Sequence, residues 1–305
     1  TFEPGGAVTI QNGGILTRGT TTGSTMRFVN YTYAIINAGT LHIGAMLFTG
    51  SGNSSVANSG SLTMATTLGL VITGGNGYIF TNTGTLNLAD IVLNGANITV
   101  NNSGVINQTG NFTDVDNGST FNNLINGMWN FGGQTITNVR LFANNNSNTF
   151  NYNRAGNQTL ITPQDAYSNL TLSGSGAKSM AGSFSVNGNW TRTAPATFTP
   201  GANRVTFAGS IAQTINAPVA GEIFSNVTVN GSTTGSAQVT VNAPVTVTAN
   251  LNMTNGNINL NGNAFNLSST AAGALSHTSG WMYAGSLTRG FTTTNVAIGT
   301  VAGLF

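Results

Sequence analysis

Apolar and polar positions alternate in short bursts along the chain, most regularly in its second half. Between residues 239 and 267, apolar residues recur in pairs at i and i+2, and successive pairs start at spacings of 6, 6, 7 and 7. This pattern predicts very short strands with one face turned inward. The segments between them, such as NAP and TNGN, are rich in turn-forming residues. The pairs are Val239/Val241, Val245/Val247, Leu251/Met253, Ile258/Leu260 and Phe265/Leu267.

The first half repeats a phrase of Asn, any residue, Gly, a variable and mostly small polar residue, and an aliphatic residue. Its glycines are Gly39, Gly60, Gly84 and Gly104, at spacings of 21, 24 and 20. Three short strands at the spacing of the second half occupy a similar length. Both halves therefore indicate a coil of three strands. The phrase occurs as NAGTLHI at 37–43, NSGSLTM at 58–64, NTGTLNL at 82–88 and NSGVINQ at 102–108.

These periods predict an all-β fold, a right-handed parallel β-helix (β-solenoid) with coils of about 19–24 residues and almost no α-helix. We expect about 15 coils, because one coil cannot bury its inward aliphatic residues alone and must stack on the next. Gly and Asn are expected at the corners because they tolerate positive φ. Stacked Asn side chains are expected to form amide ladders along the axis.

A longer phrase recurs in the second half. YSNLTLSG at 167–174 returns position for position as FSNVTVNG at 224–231. Related AGNQTL and AGSIAQTI openings precede the two copies. A unit of roughly 57 residues has room for three turns of a shorter coil. We therefore predict one continuous solenoid whose coil type changes near residue 130, with NxGTL-type coils over 1–130 and the longer unit over 131–305.

The composition limits the classes of partner and of binding site that the chain can have. Only 5% of residues are charged, against about 25% in typical proteins, and the eight basic residues are scattered singly. Nucleic-acid binding relies on clustered Lys and Arg, so no nucleic-acid partner is predicted. No apolar run reaches the roughly 18 residues of a membrane span. The absence of Cys excludes disulfides and thiolate metal sites. The opening TFEPGG, without Met or a signal region, predicts a mature chain or a segment of a longer one.

Candidate chemistry is sparse. Asp114 and Asp116 are the closest pair of carboxylates, and at i and i+2 on a strand they would face the same side. The stretch DVDNGS partly resembles a calcium loop, although its closing acidic ligand is missing. A Ca²⁺ site and a simple polar turn are both open, and no other cofactor is expected. His42 and His277 are isolated, so each is interpreted as a surface strand residue. We therefore predict that the protein is not an enzyme.

The aromatic residues offer a second candidate. Trp281 and Tyr283 share one face in GWMYAG, which makes them a candidate glycan-binding or interface pair. Trp129 and Trp190 occur in strand patterns, MWNF and VNGNW, so core or corner packing is the favoured interpretation for both.

Two stretches resemble a known group of proteins. The stretch from AGNQTL through YSNLTLSGSGAKSMAGSFSVNGNW and the tail GWMYAGSLTRGFTTTNVAIGT at 280–300 resemble repeats of very large Bacteroidota surface proteins. The NSGTL-type phrases of the first half resemble haemagglutinin-like solenoid repeats. The resemblance implies an exported, extracellular or cell-surface protein that is a type IX secretion substrate, with no catalytic residues to carry over.

Together these observations favour a non-catalytic structural or adhesive protein, a β-solenoid stalk or filament segment on the bacterial cell surface. Its expected partners are copies of itself end to end, or flanking domains of a longer chain, because solenoid ends expose strand edges. Surface glycans are a further possible partner. The alternative is a glycan-binding or polysaccharide-degrading β-helix protein.

Overall fold

The computed structural model describes residues 7–17, 24–29, 32–50, 52–116, 118–145, 147–232 and 237–290. These residues form an all-parallel β-solenoid of about 12 turns and contain no helix, which confirms the predicted fold class. The described residues make fewer turns than the 15 expected of the whole chain, in part because coils such as the one from Asn58 to its partner Asn82 have the upper expected length. The chain forms two compact units, residues 1–159 with 163–165 and residues 160–162 with 166–305. The predicted change of coil type at residue 130 lies inside the first unit.

The strands are short throughout the first unit. They are β1 (Val8–Ile10), β2 (Ile15–Thr17), β3 (Thr25–Val29), β4 (Ala34–Asn37), β5 (Thr40–Ile43), β6 (Ala45–Thr49), β7 (Ser55–Asn58), β8 (Ser61–Met64), β9 (Leu70–Asn76), β10 (Ile79–Asn82), β11 (Thr85–Leu88), β12 (Ile91–Ala96), β13 (Thr99–Asn102), β14 (Val105–Gln108), β15 (Phe112–Asp114), β16 (Thr120–Asn123), β17 (Met128–Phe131), β18 (Ile136–Thr137), β19 (Arg140–Phe142) and β20 (Thr149–Tyr152).

The next strand, β21 (Gln158–Leu160), contains residues of both units. The strands of the second unit are β22 (Asn169–Leu172), β23 (Ala177–Met180), β24 (Phe184–Val186), β25 (Trp190–Arg192), β26 (Thr197–Thr199), β27 (Arg204–Phe207), β28 (Gln213–Asn216), β29 (Glu222–Asn230), β30 (Ala237–Val241), β31 (Val245–Asn255), β32 (Asn257–Asn259), β33 (Ala264–Leu267), β34 (Leu275–His277), β35 (Met282–Tyr283) and β36 (Ser286–Arg289).

Every third strand of the first unit pairs, so one coil contributes one strand to each of three parallel sheets. The first sheet runs β1-β4-β7-β10-β13-β16-β19, the second β2-β5-β8-β11-β14-β17-β20 and the third β3-β6-β9-β12-β15-β18. The register stacks equivalent positions, as in the column Leu41, Leu62, Leu86 and Ile106 of the second sheet. All four side chains are buried, so the interior is a continuous apolar stack.

The second unit is built the same way, although two of its strands are much longer than the rest. One sheet runs β22-β25-β28-β30-β32-β35 and another β24-β27-β29-β31-β33-β36, with β34 pairing β31 and β23 pairing β26. Strands β29 and β31 have 9 and 11 residues, and their pairing is interrupted by irregularities in register. All ten residues of the predicted pairs between 239 and 267 are at most 2% exposed, so the alternation correctly identified the inward face.

Aromatic rings fill the core near the end of the first unit. Trp129 is fully buried, stacks on Phe121 with ring centroids 4.1 Å apart, and meets Phe150 edge-on at 4.5 Å. Trp190 is also fully buried. The core interpretation of both tryptophans is confirmed, and neither contributes to a surface that could stack on a sugar.

The glycines of the NxG phrase have a different cause from the one expected. Gly39, Gly60, Gly84 and Gly104 do not have positive φ. Instead, a Cβ on Gly84 would lie 2.1 Å from the carbonyl oxygen of Gly60 in the coil before it, and the same holds at 2.0–2.2 Å for the other three. The column is glycine because successive backbones touch there, which leaves no space for a side chain.

The length of the longer repeat unit does not correspond to a whole number of coils. Leu170 stacks on Trp190, and Trp190 on Ile215, so two coils take the chain from residue 170 to residue 215. The equivalent residue Val227 of the second copy lies in β29, in a different sheet from β22. The phrase therefore repeats a local structure on different faces. Its inward pairs are buried as predicted, and so are the aromatic residues at its start, Tyr167 and Phe224.

The glutamines of the two openings show what is repeated. Gln158 donates from Nε2 to the carbonyl oxygens of Phe131 and Gly133, at 2.6 and 2.7 Å, and its Oε1 accepts from an N–H four residues earlier. Gln213 does the same with Val186 and Gly188, at 2.8 and 2.6 Å. Each buried amide satisfies the backbone of the preceding coil, so the repeated unit is a strand with its capped corner.

Candidate functional site

Two columns of asparagine run along the first unit. The inner ladder is the buried column, in which each side chain donates from Nδ2 to Oδ1 of the next at 2.7–2.9 Å. In the first four members Nδ2 also donates to the carbonyl oxygen of the residue that follows the loop glycine one coil later, as Asn58 does to Thr85 at 3.0 Å. The predicted amide ladder is thus confirmed, and it explains the Asn of the NxG phrase. Its members are Asn37, Asn58, Asn82, Asn102 and Asn123.

The outer ladder faces away from the core on the second sheet. Asn107 donates to Asn87 at 2.8 Å, Asn130 to Asn107 at 2.8 Å and Asn151 to Asn130 at 3.0 Å. These four side chains are half-buried, and the amides of Asn107 and Asn130 each keep one N–H and one lone pair beyond their ladder bonds. The outer ladder therefore presents a regular row of neutral donors and acceptors.

A shallow groove lies where three stacked strands of this sheet end. Strands β14, β17 and β20 finish in successive coils, and the residues just before and after their ends form the walls. The cavity has a volume of about 250 Å³. We call it the amide groove, and its lining residues are Asn107, Gln108, Thr109, Asn130, Gly132, Asn153, Arg154 and Ala155.

The groove combines one cation with an acceptor that has no donor. Arg154 donates from Nη1 to the carbonyl oxygen of Gly132 at 3.4 Å, which places the guanidinium along one wall. Asn153 Oδ1 is buried and has no hydrogen-bond donor among the described residues. Gly132 keeps the space open, because a Cβ there would lie 3.0 Å from Gln108 O and 3.4 Å from Asn153 Oδ1. Among the described lining residues none is acidic.

The floor of the groove is rigid. Gln108 is 1% exposed and holds its amide between two partners. Its Oε1 accepts from Trp129 Nε1 at 3.2 Å, and its Nε2 donates to Asn111 O at 2.9 Å. The buried aromatic core therefore fixes the residue beneath the groove, so the polar groups above it are pre-organised.

The second unit holds a buried ion pair that sequence reasoning missed. Glu222 is 2% exposed and accepts from Arg192 Nε at 2.9 Å and from Trp190 Nε1 at 2.9 Å. Burial raises the pKa of Glu222, and the Arg192 charge and the hydrogen bonds only partly oppose that rise. Arg192 also donates to the carbonyl oxygens of Ala196 and Gly221. All of these groups are engaged with one another, so the cluster joins Arg192 and Glu222 to the backbone of the coil corner.

The predicted carboxylate pair does not converge. Strand β15 ends at Asp114, whose side chain is inward and fully buried, whereas Asp116 lies beyond the strand and is exposed. The expectation that both face the same side is wrong, because the strand alternation does not continue to Asp116. Asp114 Oδ2 accepts from the Ser119 N–H at 2.8 Å, and its Oδ1 has no partner among the described residues. Asn117 of this loop lies outside the described residues.

A metal site at this loop therefore stays a prediction. No group of three or more His, Cys, Asp or Glu side chains is arranged to hold a metal within the part of the chain that the structure describes. Both histidines lie on strands as expected, with His42 half-buried on β5 and His277 exposed on β34.

Trp281 and Tyr283 lie on the last described coil of the second unit. Trp281 is 59% exposed and Tyr283 39% exposed, on either side of the inward-facing Met282. The structure thus places both rings on one outward face, as the alternation predicted. Their role in glycan binding or in an interface stays a prediction.

Sequence reasoning did not identify the amide groove. Arg154 is one of eight scattered basic residues, and the walls come from three successive coils that are distant in sequence. The only sequence feature that points to the groove is the set of asparagines at 107, 130 and 151. Their alignment can be recognised only when the register between coils is known.

Comparison with known proteins identifies no relative. No protein-family model, no curated protein and no solved structure matches the chain. The resemblance to Bacteroidota surface repeats therefore stays a prediction. The described residues also contain no helix of the length and apolar character needed to cross a membrane.

Proposed function

We propose that the chain is a non-catalytic structural or adhesive segment of an extracellular bacterial β-solenoid, lengthened end to end by further coils or by copies of itself. The observation that carries the proposal is the register. Inward columns and amide ladders repeat from coil to coil, which is the arrangement that makes a stack rigid and extensible. The low charge and the sequence resemblance support an exported surface role.

The last described coil supports extension. Leu287 of β36 stacks on Phe265, which is 2% exposed, yet Leu287 itself is 40% exposed. Strands β35 and β36 each have one described neighbour and are the last described strands of their sheets. An exposed residue of the inward column on the last described strands favours the addition of another parallel coil.

Self-association of the whole chain tests this proposal. We expect sedimentation velocity and negative-stain electron microscopy to show end-to-end assemblies that lengthen with concentration. Leu287→Lys places a charge in the open column and should shorten them, because a buried ammonium without a partner is costly. Val219→Lys is the matched control, since Val219 is 95% exposed and outside any strand. Monodisperse single chains at high concentration would contradict extension by self-stacking.

A further inference from the structure

We propose that the amide groove of the first unit is a binding site for the acidic ring of a saccharide, such as a uronic acid. This goes beyond the structural role proposed above and does not rest on it. The site is polar, rigid and built from three coils, and its groups match the two chemical features of such a ring, a carboxylate and several hydroxyls.

The cation supplies the first match. Arg154 lies on the groove wall, and a guanidinium binds carboxylates through two parallel N–H donors. Because no acidic side chain occurs among the described lining residues, an anionic ligand meets no repulsion there. The same absence gives the groove no carboxyl pair for glycoside hydrolysis, so the site binds rather than cleaves.

The orphan acceptor supplies the second match. Asn153 Oδ1 is buried without a donor among the described residues, and a buried acceptor in that state is unfavourable until a donor reaches it. Asn153 lines the groove, so a ligand hydroxyl can donate to this oxygen once the amide turns toward the groove, whereas a bare sulfate or phosphate oxygen has no hydrogen to donate. The outward amides of Asn107 and Asn130 each offer a donor and an acceptor, which suits hydroxyl groups that do both.

The size of the groove limits the ligand. Its volume of about 250 Å³ is below the range of about 300–1,000 Å³ typical of small-molecule pockets, so it takes a single ring. A dozen or so ligand atoms in a shallow polar site correspond to a dissociation constant of about 1 mM. Useful adhesion then requires many copies acting together on one polymer.

Ligand-observed NMR with trigalacturonate as the probe tests the site. We expect saturation transfer to trigalacturonate with a dissociation constant of about 1 mM, and a much weaker signal from neutral galactotriose. Arg154→Gln should weaken binding about tenfold, because it removes a charge-assisted bidentate contact. Arg154→Lys should bind with intermediate affinity, since it keeps the charge and loses the fork.

A second variant and a matched control separate the site from general effects. Asn153→Ala should weaken binding about fivefold without changing the protein charge, because it removes the acceptor for a ligand hydroxyl. Arg204→Gln removes a different half-buried arginine, in the second unit, where Arg204 donates to Thr228 Oγ1 at 2.7 Å. This control should bind trigalacturonate like the unaltered protein.

Three results would overturn the proposal. The first is no saturation transfer to trigalacturonate at about 10 mM, well above the expected dissociation constant. The second is unchanged binding by both Arg154→Gln and Asn153→Ala while their circular dichroism matches that of the parent. The third is equal affinity for galactotriose, or for sodium sulfate at matched ionic strength, because either would mean that the groove does not read a carboxylate and hydroxyls together.

Discussion

We predict that an asparagine of a ladder stabilises this fold much more when it is buried than when water reaches it. One coil contains a buried and a half-buried asparagine that allow this comparison. Asn102 of the inner ladder and Asn107 of the outer ladder are five residues apart. Each accepts one amide hydrogen bond and donates another along its column. Asn102 is fully buried and Asn107 is half-buried. The substitutions Asn102→Ala and Asn107→Ala therefore remove the same amide–amide contacts in different surroundings.

The expected magnitudes differ because water reaches only one of them. In Asn102→Ala, Asn123 Oδ1 loses its donor at 2.9 Å and the carbonyl oxygen of Met128 loses one at 3.2 Å. A buried group left without a partner costs about 1–3 kcal/mol, and the deleted side chain leaves a small cavity. We expect a loss of about 3–5 kcal/mol for Asn102→Ala. In Asn107→Ala, water replaces the lost partners, so we expect a loss below about 1 kcal/mol.

Urea unfolding followed by far-ultraviolet circular dichroism measures both variants. Because repeat proteins can unfold in segments, hydrogen exchange of the neighbouring coils should accompany the equilibrium curves. We expect exchange in Asn102→Ala to rise around β10, β13 and β16, the strands that carry the adjoining rungs. Equal losses in the two variants would refute the reasoning, because burial would then not determine the value of a rung.

Three other predictions follow from the same structure. Gly84→Ala should destabilise by about 3 kcal/mol or more, since its Cβ would meet Gly60 O at 2.1 Å, whereas Gly273→Ala, with open space, should be neutral or slightly stabilising in thermal unfolding. Burial raises the folded-state pKa of Glu222, so its protonation favours folding; the melting temperature of the parent relative to Glu222→Gln should fall as pH rises above about 4.5. Asp114→Asn should raise the unfolding midpoint by removing a buried charge, whereas a lowered midpoint, with calcium stabilising only the parent, would support the calcium site.

The fold was predictable because its main signal is local. Pairs such as Val245/Val247 and Leu251/Met253 indicate the inward face directly. The expectation that each pair forms its own short strand is wrong here, because both pairs lie in the 11-residue strand β31, with an irregularity in register between them. The spacing between copies of the NxG phrase also predicted the coil length. The cause of its glycines was not predictable, because the contact between Gly84 and Gly60 joins adjacent coils, whereas positive φ is the usual reason for glycine at a corner.

The candidate sites were less predictable because they depend on register between distant segments. Arg154 reaches Gly132 and lies in one groove with Asn107, although these residues belong to three different coils. The ion pair between Arg192 and Glu222 likewise spans 30 residues. Carboxylate spacing drew attention to Asp114 and Asp116 instead, and that reasoning failed because a strand this short ends before the alternation can be applied.

The repeated phrase around Leu170 and Val227 shows that a sequence repeat can specify how a coil is built without specifying which face of the solenoid it occupies. The offset between its two copies is not a whole number of coils, so each copy builds the same strand and corner on a different face. A function that needed a fixed face would be disrupted by this rotation, whereas closing a coil and burying its core would not. The longer repeat therefore specifies how a coil closes and buries its core. A face-specific role requires columns that stay in register over several coils, as the outer ladder does from Asn87 to Asn151, beside the amide groove.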